Sequence, residues 1–227
     1  MSSLERIHSY FDRAAMRFDT IYQRDKPLHQ QVGDAMFRRV IYTRYLLVLN
    51  ALGARGQRIL DVGCGSGRYG VELAARGAAH CVGVDVSQPM IELAKNSAEA
   101  AAVADRCYWY VSDFLSWRTD EAFDAAMAMG YFDYTEDPEP HLRKMLSLVN
   151  GRIFASFPKR WEFRVPLRMT RFALARGFVR FYSRKNVLDL FRHVTGRADF
   201  RNFLSLVDLG RDYIAIYDSG SALDRKA

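Results

Sequence analysis

The chain has 227 residues, of which 49% are hydrophobic and 26% charged, and its formal net charge is +7. A chain of this length and apolar content can bury a core as one domain, which excludes whole-chain disorder. Three cysteines are too few for a disulfide framework, and their spacing predicts no metal site. The N-terminus has no apolar signal core and no run approaches the ~20 residues of a membrane span, so we expect a cytoplasmic protein, at most peripheral at a membrane.

Two amphipathic helices are predicted first, over residues 4–22 and from Pro27 to Gly53. The pattern then changes to short apolar strands that alternate with helices. The predicted strands are Arg58–Val62, Cys81–Val86, Cys107–Val111, Phe123–Met129 and Arg152–Phe157, and the helices between them are 68–77, 88–104 and 140–149. This alternation predicts an α/β fold with a doubly wound, mostly parallel sheet and right-handed crossovers.

The tail of the chain departs from that alternation. Two β-rich runs, Phe200–Val207 and Tyr213–Tyr217, are joined by residues 208–212 only. So short a connection cannot hold a crossover helix, and the two runs are therefore predicted to pair as an antiparallel C-terminal hairpin.

A glycine turn, GCGSG, follows the first predicted strand. Gly63, Gly65 and Gly67 fit an Asp-x-Gly-x-Gly-x-Gly pattern, whereas Gly65, Gly67 and Gly70 also fit Gly-x-Gly-x-x-Gly. In either case the turn lets the backbone approach a ligand near a helix N-terminus. The glycines alone leave two ligands open, S-adenosylmethionine and a dinucleotide.

Three carboxylates separate these two ligands by charge. Asp61, directly before the turn, would repel a pyrophosphate and favours the ammonium and sulfonium of S-adenosylmethionine. Asp85 ends the second strand and can accept two hydrogen bonds from ribose hydroxyls. Asp113 ends the third strand and can accept from an adenine amino group, while the apolar Phe114 covers the ring. Taken singly, Asp85 or Asp113 also fits a helix cap or a loop acid, but the three together outline an adenosine with a cationic tail.

The stretches ILDVGCGSGRYGVELAARGA, GVDVSQPMIELAK and VSDFLSW resemble the class I S-adenosylmethionine-dependent methyltransferases over roughly Arg58 to Val149. The resemblance implies a seven-stranded Rossmann-like sheet and S-adenosyl-L-methionine as the cofactor, and we predict no metal. The residues that we predict around the cofactor are Tyr22, Asp61, Gly63, Gly65, Gly67, Asp85, Val86, Met90, Asp113, Phe114 and Met129. Within this set the glycines face the methionine part, Asp85 the ribose and Met90 the adenine, and Tyr22 closes over the cofactor.

We therefore predict a single methyltransferase domain over residues 1–227. Its parts are an N-terminal helical cap (1–56), a cofactor-binding core (57–158), a basic substrate-side insertion (159–185), and the last helix with the terminal hairpin (186–217). The stretches HSYFDRAA and FPKR are also similar to magnesium-protoporphyrin O-methyltransferases. That likeness implies that an acidic, membrane-associated acceptor is compatible with this layout.

Methyl transfer from a sulfonium is an SN2 displacement, so alignment can supply most of the catalysis, and a base is needed only if the nucleophile holds a proton. The fourth strand of this fold ends toward the methyl group, where the sequence reads MGYFDY. Gly130 leaves room there for the donor methyl. Candidates for contact with the acceptor or for a base are Tyr131, Asp133 and Tyr134, with His29 and His141 as further bases. No Asn-Pro-Pro-Tyr or Asp-Pro-Pro-Tyr motif is present, which argues against methylation of adenine or glutamine amino groups.

The basic excess is confined to one segment. Residues 159–185 hold nine Lys and Arg against one acid, Glu162, whereas the rest of the chain holds 24 basic and 25 acidic residues. Leu167, Leu174, Phe178 and Phe181 share one side of a predicted helix whose arginines lie on the other. The segment fits a solvated lid, a contact with an anionic substrate or membrane surface, or nucleic acid. Its arginines and aromatics favour the second interpretation, and nucleic acid is the least favoured partner.

The sequence therefore predicts a methyltransferase for a small-molecule acceptor that is anionic, lipid-linked or membrane-associated, with O- or N-methylation. Two alternatives stay open. One is a non-catalytic scaffold or binding module of the same fold that docks to an anionic surface. The other is an NAD-binding oxidoreductase, although the chain lacks a second domain to hold a hydride acceptor. The oligomeric state is not predicted.

Overall fold

The computed structural model describes residues 42–159 and 179–219. The predicted helix over 4–22, with Tyr22, lies outside this range, as do the first part of the helix from Pro27 and His29. Most of the basic segment 159–185 also lies outside it. The division of the chain into four parts stays a prediction.

The described chain begins in a helix, α1, over residues 42–52. The other elements, in chain order, are β1 (Arg58–Val62), α2 (Arg68–Ala75), β2 (His80–Asp85), α3 (Gln88–Ala100), β3 (Cys107–Val111), β4 (Phe123–Ala128), α4 (Pro138–Leu148), β5 (Val149–Pro158), α5 (Arg184–Thr195), β6 (Leu204–Asp208) and β7 (Asp212–Asp218). Single 3-10 turns cover Ala104–Arg106 and Phe200–Asn202.

All seven strands belong to one sheet, in the order β3-β2-β1-β4-β5-β7-β6. The pairs from β3 to β5 are parallel, and β7 runs antiparallel to both of its neighbours. The predicted doubly wound sheet with an antiparallel C-terminal hairpin is confirmed. The strand order reverses between β1 and β4, and open α/β sheets bind ligands beyond the carboxyl ends of the strands at such a point.

Helices cover both faces of this sheet. Side chains of α1, α2 and α3 pack on one face, together with the apolar residues of β1 and β4 that point that way. Side chains of α4 and α5 pack on the other face. β1 reads RILDV and is buried over its last four residues, as is typical of a parallel strand with both faces covered.

The tail differs from the prediction in one respect. The run Phe200–Val207 is not a single strand, because Phe200–Asn202 forms a 3-10 turn and β6 begins at Leu204. The ring of Phe200 is only 1% exposed and packs into the core, and the Asn202 amide closes the turn on the carbonyl of Asp199 at 2.9 Å. An aromatic-rich run alone does not distinguish a buried turn from a strand.

The remaining differences concern the ends of elements. α3 ends at Ala100 rather than at Ala104, since the chain turns at Ala102 with a φ of 54°. α4 begins at Pro138 rather than at Pro140, because the Asp137 side chain caps it by accepting from the Glu139 amide at 3.2 Å. β2 and β4 end at Asp85 and Ala128, one residue earlier than predicted, and β5 extends over Val149–Pro158.

Candidate cofactor and acceptor site

The turn between β1 and α2 holds the glycine motif at the carboxyl end of β1. Gly63, Gly65 and Gly67 adopt positive φ angles of 68°, 53° and 72°. The Gly63 amide donates to the carbonyl of Val84 at 2.8 Å, which fastens the turn to β2. Side chains with a Cβ rarely adopt this backbone, so the turn depends on glycine at these positions.

The three glycines have different surroundings. A Cβ at Gly67 would lie 2.7 Å from both Ala94 and Trp109, so this position serves the close packing of α2. A Cβ at Gly63 would lie 2.5 Å from the ring of Tyr131. At Gly65, no described atom lies within 4 Å of the Cβ position. Among the three predicted ligand contacts, Gly65 is therefore the one with open space beside it.

Asp85, the last residue of β2, is joined to the same turn. Its Oδ2 accepts from the Gly65 amide at 2.9 Å and its Oδ1 from the Ser87 amide at 2.9 Å. A carboxylate accepts up to about four hydrogen bonds, so both contacts are compatible with the predicted contact to a ribose. Val86 is half-buried and Met90 is buried beneath the start of α3. Asp85 thus has a structural task that the sequence did not predict, which is to hold the glycine turn.

Asp61 lies deeper, at the end of β1. It is 2% exposed, and its Oδ2 has no hydrogen-bond partner among the described residues. Burial, and secondly the negative charge of Asp85, raise the pKa of Asp61 from 3.8 to about 8. An unpaired, buried carboxyl oxygen beside a second carboxylate suits a cation and opposes a phosphate. The site thus fits the ammonium and sulfonium end of S-adenosylmethionine.

Asp113 and Phe114 begin a tight turn after β3. The Asp113 Oδ1 accepts from the Ser116 amide at 2.9 Å, so this oxygen stabilises the turn. Phe114 is 2% exposed and its ring packs against Trp117 and His141. The phenyl ring therefore belongs to the core and shapes the crevice from beneath.

The segment after β4 separates the three candidate catalytic residues. Met129 is half-buried, and the Gly130 amide donates to the Ser156 hydroxyl at 2.7 Å. The Tyr131 ring lies across Gly63, and its hydroxyl is 2.8 Å from Nδ1 of His141. Tyr131 therefore faces the glycine turn and α4.

The Tyr131–His141 pair lies near Asp113, and Tyr131 also lies near Asp85. Burial, followed by the charges of Asp113 and Asp85, raises the pKa of Tyr131. Burial lowers the pKa of His141, so the imidazole is neutral at pH 7 and can share the Tyr131 proton. Tyr131 was predicted to contact the acceptor. It also forms a hydrogen-bonded pair with His141, near the residues expected to hold ribose and adenine.

Asp133 and Tyr134 follow Tyr131 in the same loop and have other backbone contacts. Asp133 is 8% exposed, and its carbonyl accepts from the Arg180 amide at 2.8 Å. The Tyr134 amide donates to the Tyr131 carbonyl at 3.2 Å, which closes a turn. Because Arg180 belongs to the basic segment 159–185, the described end of that segment lies directly on the loop after β4.

Arg44 is the residue of this region that the sequence did not reveal. Its side chain, 14% exposed, reaches from α1 to the ends of β4 and β5, where Nη1 donates to Asp212 Oδ2 at 3.2 Å. A Cβ at Gly130 would lie 3.8 Å from its Nη2. Burial lowers the pKa of Arg44, but three neighbouring acidic groups outweigh this effect and raise that pKa above its usual value. These groups are Tyr69, Asp212 and Asp133. Its only sequence signal is an arginine inside the apolar run YTRYLLVL.

The described ranges show neither a metal-ligand cluster nor a membrane-spanning helix. Residues 42–159 and 179–219 contain no group of three or more His, Cys, Asp or Glu that could hold a metal ion. Within the same ranges, no helix has the length and apolar character needed to cross a membrane.

Comparison with known proteins identifies the core of this fold. The family model described as a methyltransferase domain matches residues 59–151, the span from β1 to the start of β5. Residues 59–151 are a methyltransferase domain. The ubiquinone biosynthesis O-methyltransferase of Neisseria meningitidis serogroup C is 34% identical over 105 residues, which are 45% of this chain and 44% of the relative. An O-methyltransferase of Aspergillus nomiae is 36% identical over 84 residues, 37% of each chain. The chain thus aligns with less than half the length of these curated relatives.

Solved structures extend the likeness of the methyltransferase domain to the whole fold. The magnesium protoporphyrin IX methyltransferase of Synechocystis, crystallised with S-adenosylhomocysteine, superposes with a TM-score of 0.71 at 17% identity, over 96% of this chain and 99% of the other. Geranyl diphosphate C-methyltransferase of Streptomyces coelicolor gives 0.69 at 14% identity, over 96% and 98%. At these identities the likeness concerns the fold, and it confirms the predicted class I architecture.

Proposed function

We propose that the protein is an S-adenosylmethionine-dependent methyltransferase that acts on a small-molecule acceptor. The observation that carries the proposal is the buried, unpartnered Asp61 oxygen beside Asp85 at the glycine turn. A pyrophosphate in this crevice would meet two carboxyl groups, whereas a cationic amino acid tail would be stabilised by them. This charge arrangement is also the argument against the oxidoreductase alternative.

The residues present fit the cofactor along its length. Asp61 would face its cationic end, the open backbone at Gly65 would lie beside the methionine part, and Asp85 would accept from the ribose. Asp113 and Met90 would border the adenine. S-adenosylmethionine supplies a methyl group activated by a positive sulfur.

The chain's own contribution to the reaction is alignment and proton control. The half-buried Gly130, with its amide fixed on Ser156, leaves space at the end of β4. Asp133 lies beside it with the Arg44 cation nearby, and its carboxylate is the base that we propose for an acceptor hydroxyl. Arg44 and Ser156 thereby position the acceptor side, opposite the Tyr131–His141 pair.

Oxygen methylation of an anionic or membrane-associated acceptor is the substrate class we propose. The relatives named above are O-methyltransferases, of which one belongs to ubiquinone biosynthesis. The described ends of the basic segment adjoin the acceptor side: the Tyr182 amide donates to the Pro158 carbonyl at 2.7 Å, and Arg180 contacts Asp133 as above. The segment 159–185 has a net charge of +8 in sequence, and such a charge would attract an acidic substrate or an anionic lipid surface. We further propose a cytoplasmic enzyme that meets the membrane peripherally.

Isothermal titration calorimetry with S-adenosylhomocysteine and with NAD tests the proposed function. We expect the wild-type protein to bind S-adenosylhomocysteine and not NAD. Asp85→Asn should weaken this binding about tenfold or more, because it removes one charged acceptor for the ribose hydroxyls. Asp105→Asn is the matched control, since that side chain is 77% exposed and remote from the turn. NAD binding, or no binding of S-adenosylhomocysteine, would overturn the proposal.

A further inference from the structure

The ammonium of Lys144 is inserted into the turn that follows β3. From its place on α4, Nζ donates to the carbonyl of Phe114 at 2.5 Å and to that of Leu115 at 3.3 Å. It also donates to the carbonyl of Trp117. An ammonium has three donors, and here each of them has a backbone oxygen.

Two aromatic rings enclose the same ammonium. Nζ lies 4.8 Å from the ring centroid of Phe114 and 5.7 Å from that of Trp117. A cation at this distance from an aromatic face is attracted by the ring, and more strongly where water is excluded. Lys144 is therefore held by five contacts to one turn, which is far more than a lysine on a helix surface makes.

This turn also carries Asp113, the residue expected at the adenine. The amides of Ser116 and Trp117 both donate to the Asp113 carbonyl, at 3.1 and 2.8 Å, and the Ser116 amide donates to its Oδ1 as well. Such a single turn has no following helical residues to donate to its last carbonyls. The ammonium of Lys144 supplies those donors, so the position of Asp113 depends on a side chain from α4.

We propose that Lys144 is a positioning residue that holds turn 113–117 in the conformation in which Asp113 recognises the adenine amino group. The inference rests on the proposed function, since it presupposes an adenosine-containing cofactor. It assigns Lys144 a task that neither its sequence position nor the family match indicates. The lysine itself does not touch the cofactor in this account.

The charges around Lys144 give the proposal a pH signature. Burial lowers the pKa of Lys144, Arg118 lowers it further, and Asp113 opposes both. His141, on the same helix, also faces this ammonium. Lys144 therefore loses a proton at a lower pH than an exposed lysine does. The turn then loses one of its three N–H donors. Adenine recognition should weaken as pH rises into that range.

Titration of two ligands by calorimetry tests the inference. S-adenosylhomocysteine carries the adenine amino group, and S-inosylhomocysteine carries an oxo group in its place, so the ratio of their affinities measures recognition by Asp113. Lys144→Met keeps the alkyl stem that packs on the rings but removes all three donors. Lys95→Met, an exposed lysine on α3, is the matched control.

We expect the wild type and Lys95→Met to prefer S-adenosylhomocysteine and Lys144→Met to lose about tenfold of that preference. A Lys144→Met protein that keeps both affinity and preference would overturn the inference while leaving the proposed function intact. A wild type that binds neither ligand would overturn both. If Lys144→Met does not fold, Lys144→Gln decides instead, since its amide offers fewer donors on a shorter stem: an unchanged preference contradicts the inference, and a reduced one supports it.

Discussion

The buried Asp61 should make the protein less stable as pH rises, and Asp61→Asn should remove that dependence. Because the pKa of Asp61 is raised from 3.8 to about 8, the folded protein keeps a proton there that the unfolded chain has released. The free energy of unfolding then falls as pH rises between these two values. Each pH unit in that window costs about 1.4 kcal/mol at this site.

The magnitude follows from two pH values inside the window. Between pH 5 and pH 7 the wild type should lose about 2.7 kcal/mol of stability relative to Asp61→Asn. All other ionisable groups are shared by the two proteins, so their contributions cancel in the difference. Urea denaturation of both proteins at both pH values measures it. A difference that is the same at pH 5 and pH 7 would refute the reasoning, because Asp61 would then ionise alike in the folded and unfolded states.

A ligand should stabilise the wild type more than Asp61→Asn. S-adenosylhomocysteine brings an ammonium to the buried carboxyl, which favours the ionised form of Asp61 and offsets its burial. We expect this ligand to raise the melting temperature of the wild type by more than that of Asp61→Asn. An equal increase in both proteins would show that the ammonium does not approach Asp61.

Three further predictions concern the neighbouring residues. Arg44→Met should lower the free energy of unfolding by about 3 kcal/mol or more, since it leaves the partly buried Asp212 without its cation. In urea denaturation, adding Asp212→Asn should restore part of that loss, and strictly additive losses would contradict the pairing. Gly67→Ala should destabilise the fold more than Gly65→Ala, because a Cβ at position 67 would lie 2.7 Å from neighbouring side chains. Gly65→Ala should mainly weaken cofactor binding in calorimetry. Equal melting temperatures of the two variants would contradict this. Tyr131→Phe should raise the KM for the cofactor and leave the pH profile of kcat unchanged, and a shifted profile would make Tyr131 the base.

The sequence predicted that the residues around the glycine turn lie together, because its signals are local. The glycines, Asp61 and Asp85 belong to one strand-turn-helix unit and the strand after it, so their spacing alone brings them together. The hairpin of β6 and β7 followed from the length of one connection. Phe200 shows the limit of such reasoning. Its ring packs into the core from a 3-10 turn, and the sequence alone does not distinguish such a turn from a strand.

The acceptor side and the support of the adenine turn were not predictable in this way. Arg44 reaches Asp212 across 168 residues of sequence, and Lys144 reaches Phe114 across 30. Each is a single cation in an otherwise ordinary amphipathic helix, and only the packing of α1 or α4 against the sheet brings it to its partners. Tyr131, Asp133 and Tyr134 were chosen by their position after β4, and which of them contacts the acceptor stays a prediction.

Transfer of a labelled methyl group tests the central claim most directly. The protein is incubated with S-adenosylmethionine labelled in its methyl group and an extract of its own cells, which is then separated into lipids, nucleic acids, proteins and small molecules. Our account predicts label in the lipid or small-molecule fraction, and its loss with Asp85→Asn but not with Asp105→Asn. Label in nucleic acid or protein, or no label despite measured binding of the cofactor, would contradict it.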